Sequence, residues 1–220
     1  MQHYQVLSAL LLYPERGLID SLGELESILE KTPELHAPLR PLFAYLAQEE
    51  LIALQENYVA TFDRNPSHSL HLFEHIHGES RDRGQAMVDL MEEYKKHGLE
   101  MVGDDLPDYV PLFLEFLSQL DKDEAERLLS DAVHVLAHVG RKLAANGSPY
   151  AGVFDAVQQL SPVVAEELSE PPVRDMDEAL ETFGPGVDGV EPLLKKAQGN
   201  GVQPINFYPK GARNNACAAG

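Results

Sequence analysis

Residues 54–90 read LQENYVATFDRNPSHSLHLFEHIHGESRDRGQAMVDL, and the fold turns on how that stretch is divided. Leu51, Leu54, Tyr58 and Phe62 recur at helical spacing on one face, which predicts a helix ending near Phe62. Asp63, Arg64, Asn65 and Pro66 then break the period, as turn-forming residues do. Four of the chain's nine histidines follow between His68 and His77. Gly78 closes that segment, and a second amphipathic run begins near Ser80. Two helices are thus joined by a polar elbow rich in ionisable and aromatic side chains, a composition suited to recognition rather than to core filling.

On the N-terminal side, a first helix is expected over Gln2–Leu12, closed by Pro14. A second is expected over Glu15–Lys31, with Leu18, Ile19, Leu22, Leu25, Ile28 and Leu29 as its apolar stripe. Pro33, Pro38 and Pro41 should punctuate the chain before a short helix over Leu42–Ala47. Beyond the elbow, Arg81–His97 reads as a helix burying Met87, Leu90, Met91 and Tyr94. The loop from Gly98 to Pro107 gathers Asp104, Asp105 and Asp108, with Asp108 expected to N-cap the next helix and Pro111 in its first turn. That helix presents Phe113, Phe116, Leu117 and Leu120. Asp121 and Glu124 resemble a capping box for the longest helix, which runs to Ala145 with Leu128, Ala132, Leu136, Val139 and Leu143 as its stripe. Asn146 and Gly147 stop it, and a last helix is expected from Pro149 to Leu168, kinked at Pro162. No segment alternates as a strand does. The reading is all-α: one helical bundle-like domain over residues 1–168.

From Ser169 the composition shifts to Pro, Gly and acids, which predicts a disordered acidic tail over 169–220. Its end differs: QPINFYPKGARNNACAAG has no acid and carries Lys210 and Arg213. Over the whole chain, 36 acidic against 17 basic residues give a net charge of −19. Nucleic acid and anionic membrane surfaces would be repelled, whereas a basic peptide would be attracted. No apolar run approaches the roughly 20 residues of a membrane span, and no basic region precedes an apolar stretch as in a secretory signal. The lone Cys217 leaves no disulfide partner within the chain, which fits a cytoplasmic setting.

Two histidine patterns invite a metal reading. His71-Leu72-Phe73-Glu74-His75 fits H-x-x-E-H, which on a helix would put both imidazoles on one face beside an activating carboxylate. A zinc-dependent hydrolase is therefore the rival function, although no third, distant ligand is identifiable. His134 and His138 form an i,i+4 pair expected on a solvated helix flank. Arg81 and Arg83 are expected to pair with acids of the elbow, since no glycine-rich phosphate loop accompanies them.

The segments NYVATFDR (57–64), LFEHIHGESRDRGQAMVDL (72–90), LPDYVPLFLEFL (106–117) and HYQVLSALLLYPE (3–15) resemble the NarJ family of molybdenum-cofactor assembly chaperones of nitrate reductase. That family lies within the TorD-like redox-enzyme maturation chaperones, and the likeness covers roughly residues 1–165. It implies a TorD-like all-helical fold, no catalysis and no bound metal or cofactor. The implied partner is the apo catalytic α subunit of nitrate reductase, held by its N-terminal peptide until cofactor insertion, without nucleic acid or membrane insertion and as a monomer or weak dimer. It places peptide binding at the end of the Tyr58–Phe62 helix and at the LPDY turn. The candidate contacts are Tyr58, Phe62, Asp63, Asp105, Asp108 and Tyr109, where Tyr109 stands at a position that is often His in relatives.

Overall fold

A computed structural model describes residues 2–78, 80–103 and 105–168; the expected tail and Asp104 lie outside them. Nine α-helices form among the described residues: α1 (Gln2–Leu10), α2 (Arg16–Leu29), α3 (Pro33–Gln48), α4 (Leu51–Tyr58), α5 (Glu74–His77), α6 (Arg81–Lys96), α7 (Val110–Gln119), α8 (Lys122–Ala145) and α9 (Ala151–Leu160). The all-α expectation holds, and no strand longer than a single bridge occurs among these residues.

The molecule is assembled on α8. Asp121 caps it by accepting a hydrogen bond from the Glu124 N–H at 3.0 Å, as the capping pattern predicts. Asp123 and Glu124 in the first turn and Lys142 in the last complement the helix dipole. From Ala132 to Gly140 every residue is buried, so the helix is wrapped on all sides rather than along one stripe. Helices α7 and α9 pack on it, and α1 and α3 pack in turn on those two. Each fully buried Leu, Val or Phe in this core contributes about 1.5–3 kcal/mol of transfer free energy. Contact across α9 is close because glycine stands at both interfaces. A Cβ on Gly140 would lie 2.7 Å from that of Phe154, and one on Gly152 would overlap the Pro38 carbonyl of α3.

Several expectations are corrected by packing. Pro38 and Pro41 do not punctuate the chain; they lie inside α3, which begins with Pro33 in its first turn. They deprive the carbonyls of Glu34 and Ala37 of partners, but both residues face water, which can take the bonds. Burial of Leu35, Leu39, Leu42, Phe43 and Leu46 along the opposite face outweighs the loss. The last helix stops at Leu160 rather than kinking at Pro162, because Ser161 takes the extended conformation that a following proline imposes. Met91 is exposed at 36% on α6, while Ala86, Leu90 and Tyr94 make its buried face. His134 and His138 are not solvated but buried: His134 Nδ1 accepts from the Glu166 N–H at 2.9 Å, and His138 packs against the ring of His75. Among the described residues, no helix is long and apolar enough to cross a membrane.

Gly152→Ala should therefore cost about 3 kcal/mol or more of stability, since the clash is with backbone that cannot swing away. Urea unfolding followed by circular dichroism measures this. A loss below 1 kcal/mol would mean that α3 and α9 are not in this close contact.

Candidate functional site

Helix α4 does not simply end. After Tyr58 it widens into a π turn over Val59–Asp63, where the Arg64 N–H reaches back five residues to the Val59 carbonyl at 3.0 Å. The wide turn seats Phe62 against Tyr58, with ring centroids 4.8 Å apart, and leaves Asp63 exposed. A short 3-10 turn over Pro66–His68 follows, capped by the Asn65 side chain, which accepts from the Ser67 N–H. His68 pins this turn: its Nδ1–H donates to the Thr61 carbonyl at 3.1 Å, and its Nε2 accepts from the Asn146 amide at 2.7 Å. His75 Nε2–H donates to the Ser69 carbonyl at 2.8 Å. The elbow histidines therefore fold the loop onto α8.

Across the elbow lies the LPDY turn. His71 and Tyr109 form an antiparallel bridge, flanked by the Leu72 N–H to Asp108 carbonyl and Val110 N–H to Leu70 carbonyl bonds at 3.0 and 2.8 Å. Asp108 is not the cap of α7; that position belongs to Tyr109, which caps nothing with its side chain. Fully buried, Asp108 instead accepts from the Phe73 N–H at 3.0 Å and from His71 Nδ1–H at 3.3 Å. Its negative charge reinforces the effect of burial in raising the pKa of Tyr94, whose hydroxyl donates to the Pro107 carbonyl.

These elements enclose a cavity of about 600 Å³ lined by Tyr58, Phe62, Asp63, Leu70, His71 and Tyr109, with Tyr13, Pro66, Ser69 and Glu74 at its edges. Of the six residues expected at the site, four line this groove. Asp108 sits beneath it, engaged by the elbow. Asp105 is exposed and does not line the cavity, but its charge reaches the Tyr109 hydroxyl. Tyr13, 43% exposed, escaped the sequence reading because nothing local marks it. Its ring meets Tyr58 edge-on at 5.5 Å, since the Tyr58 hydroxyl donates to the Leu11 carbonyl at 2.8 Å and so holds the end of α1 against α4. The Tyr58 and Tyr109 hydroxyls lie 3.3 Å apart and share a hydrogen bond. Burial first, then Tyr109, pushes the Tyr58 phenol far above its ordinary value; burial first, with Asp105 and Asp63 adding, raises that of Tyr109 against the opposing bond from Tyr58. The groove thus has an aromatic floor and a rim carrying Asp63 and, nearby, Asp105.

The zinc pattern is not assembled. His71 belongs to the bridge, one turn outside α5, so it shares no helix face with His75. Glu74 pairs with Arg83 at 3.0 Å, as expected for that arginine. The side chains that do converge like metal ligands among the described residues are Glu93 on α6, His97 just past its end and Glu124 on α8, and none lines the groove. Arg127 already bridges the two carboxylates at 3.0 and 2.7 Å.

The all-helical fold is similar to that of a solved structure described as a redox enzyme maturation protein from Archaeoglobus fulgidus. That likeness has a TM-score of 0.55 and 25% identity, and covers 72% of this chain and 91% of the other. The class is thus that of the maturation proteins. More narrowly, residues 29–156 match the family described as nitrate reductase delta subunit, and the chain belongs to it. Its relatives include the nitrate reductase molybdenum cofactor assembly chaperone NarJ of Escherichia coli K12, 38% identical over 187 residues, or 80% of this chain and 79% of the relative. NarW of the same strain is 40% identical over 162 residues, covering 73% of this chain and 68% of its own.

Replacing Asp108 with Ala should cost about 2–4 kcal/mol, because the buried Phe73 N–H and His71 lose their acceptor. Denaturant unfolding tests this, and a loss under 1 kcal/mol would deny Asp108 its role in holding the elbow. A second expectation concerns alkaline pH. Tyrosines whose pKa is higher folded than unfolded keep their protons while the unfolded chain releases its own, so stability falls as pH rises. The contribution is full below the ordinary value of 10.0 and fades above it, up to about 12 for Tyr4 and beyond that for Tyr58. Each such tyrosine should contribute a slope of about 1.4 kcal/mol per pH unit in that window. Unfolding free energies at successive alkaline pH values measure it; a flat profile would overturn it.

Proposed function

We propose that this chain is an assembly chaperone serving the molybdenum cofactor of nitrate reductase, and that the groove receives the N-terminal segment of the apo catalytic α subunit in the cytoplasm. Family membership supports the first part. The observation that carries the second is the groove itself: an aromatic floor of Tyr58, Phe62 and Tyr109 beside the exposed carboxylate of Asp63. An amphipathic peptide helix presents what that surface accepts, apolar side chains on one face and cations at its margin. Asp63 and Asp105 meet the cations, while Asp108 acts from below by holding the LPDY turn against the elbow. Cations at the rim also explain how a chain of net charge −19 gains from a basic segment related to a twin-arginine signal. Occupied in this way, the apo subunit is kept from docking to its membrane partner until its cofactor is in place. The chaperone needs no catalytic group for this, and His68, His71 and His75 already hold the Thr61 carbonyl, the Asp108 carboxylate and the Ser69 carbonyl.

Titration calorimetry with a synthetic peptide of the first residues of the α subunit, at low salt, should give saturable binding at or below tens of micromolar. Added salt should weaken it. Asp63→Asn and Asp105→Asn should each reduce affinity roughly twofold to fivefold and flatten the salt dependence. Absence of binding to the native chain overturns the peptide reading; binding that is insensitive to salt and to both substitutions overturns the role of the rim.

A further inference from the structure

The groove has a second suitor within the same chain. We infer that the C-terminal segment INFYPKGAR, residues 205–213, occupies the groove when no client is bound and must be displaced by it. The inference rests on the groove reading above and adds a competitor to it.

Three observations converge. The first is chemistry: Ile205, Phe207 and Tyr208 supply apolar and aromatic side chains, and Lys210 and Arg213 follow within a few residues. That is the pairing the aromatic floor and the Asp63 and Asp105 carboxylates accept, with cation–carboxylate hydrogen bonds stronger than neutral ones. The second is charge distribution. Nearly all of the net charge of −19 lies before Ser169, whereas the final eighteen residues contain no acid. The helical domain therefore attracts this segment and repels the acidic stretch that links it.

The third is where the described chain ends. The Glu166 N–H is bonded to His134 on α8, and Leu168 packs against the core. One turn along α8, His138 meets the ring of His75 at 5.9 Å, and His75 adjoins Glu74 at the edge of the groove. Summed along that path, with about 6 Å for the turn and the three imidazole side chains included, the exit point lies within roughly 35 Å of the groove. Residues 169–204 span several times that distance when extended. The segment thus reaches the groove without strain, and tethering presents it at an effective concentration in the millimolar range. A contact too weak to persist between separate molecules then fills the site most of the time, and a client must bind tightly enough to evict it.

Cys217, the only cysteine, lies four residues past Arg213 and provides the probe. A nitroxide attached to it in the full chain should selectively broaden the amide resonances of Tyr13, Asp63 and Tyr109. The full-length variant F207A/Y208A/K210E/R213E should lose that broadening. It should also bind the α-subunit peptide on the order of fivefold more tightly, as expected if the native site is about four-fifths occupied. These substitutions lie outside the helical domain, so its folding is not at issue. Uniform broadening, unchanged peptide affinity in the variant, or broadening that arises only between labelled and unlabelled copies in a mixture would each overturn the inference. If the groove amides broaden selectively but the peptide binds neither form, the tail contact stands and the client reading fails.

Discussion

The buried carboxylate of Asp108 is the constraint on which the site depends. A carboxyl group with no exposure is tolerated only if its oxygens are paired, and here the elbow pairs them through the Phe73 N–H and His71. Two residues on each side, Leu70 and Leu72 against Asp108 and Val110, exchange two backbone bonds, so the elbow and the LPDY turn cannot separate without also breaking the pairing of that carboxylate. With the turn fixed, Tyr109 stands over the end of α4. With the end of α4 widened by the π turn, Phe62 and Tyr58 pack as tilted rings into a floor and Asp63 faces out. The groove follows from these commitments rather than from any single binding residue.

That arrangement separates two jobs that acidic residues do in this chain. Asp108 is structural because it is buried and each of its oxygens accepts a hydrogen bond from the elbow. Asp63 and Asp105 remain exposed, where a cation can reach them at little cost in desolvation. The histidines divide similarly. His68 and His75 hold backbone carbonyls, and His134 and His138 lie under the elbow on α8. A metal reading needs imidazoles that are free to converge, and these have been spent on folding the loop. The ion-pair network of Glu93, Glu124, His97 and Arg127 does a further, separate job in clamping α6 to the start of α8.

Much of the helical order is legible in the sequence because it is encoded locally. Apolar spacing located α1, α2, α6, α7 and α8, and the Asp121 cap predicted the start of α8 to the residue. The prolines of α3 were misread because local rules weigh the lost hydrogen bonds and not the apolar face that α2 and α9 bury. His134 and His138 were placed in solvent for the same reason: their burial comes from the elbow and from the chain around Glu166, both distant in sequence.

The sequence alone determined the class of fold, the position of the elbow and four of the groove residues, Tyr58, Phe62, Asp63 and Tyr109. These were readable because a broken helical period and a family likeness are both local in the chain. Tertiary structure alone decided that Asp108 is buried, that Tyr13 joins the edge of the groove from beyond the end of α1, and that His71 and His75 part company. Each of those outcomes depends on which groups distant in the chain meet, the Phe73 N–H with Asp108 and the Tyr58 hydroxyl with the Leu11 carbonyl among them, and no spacing along the chain records that.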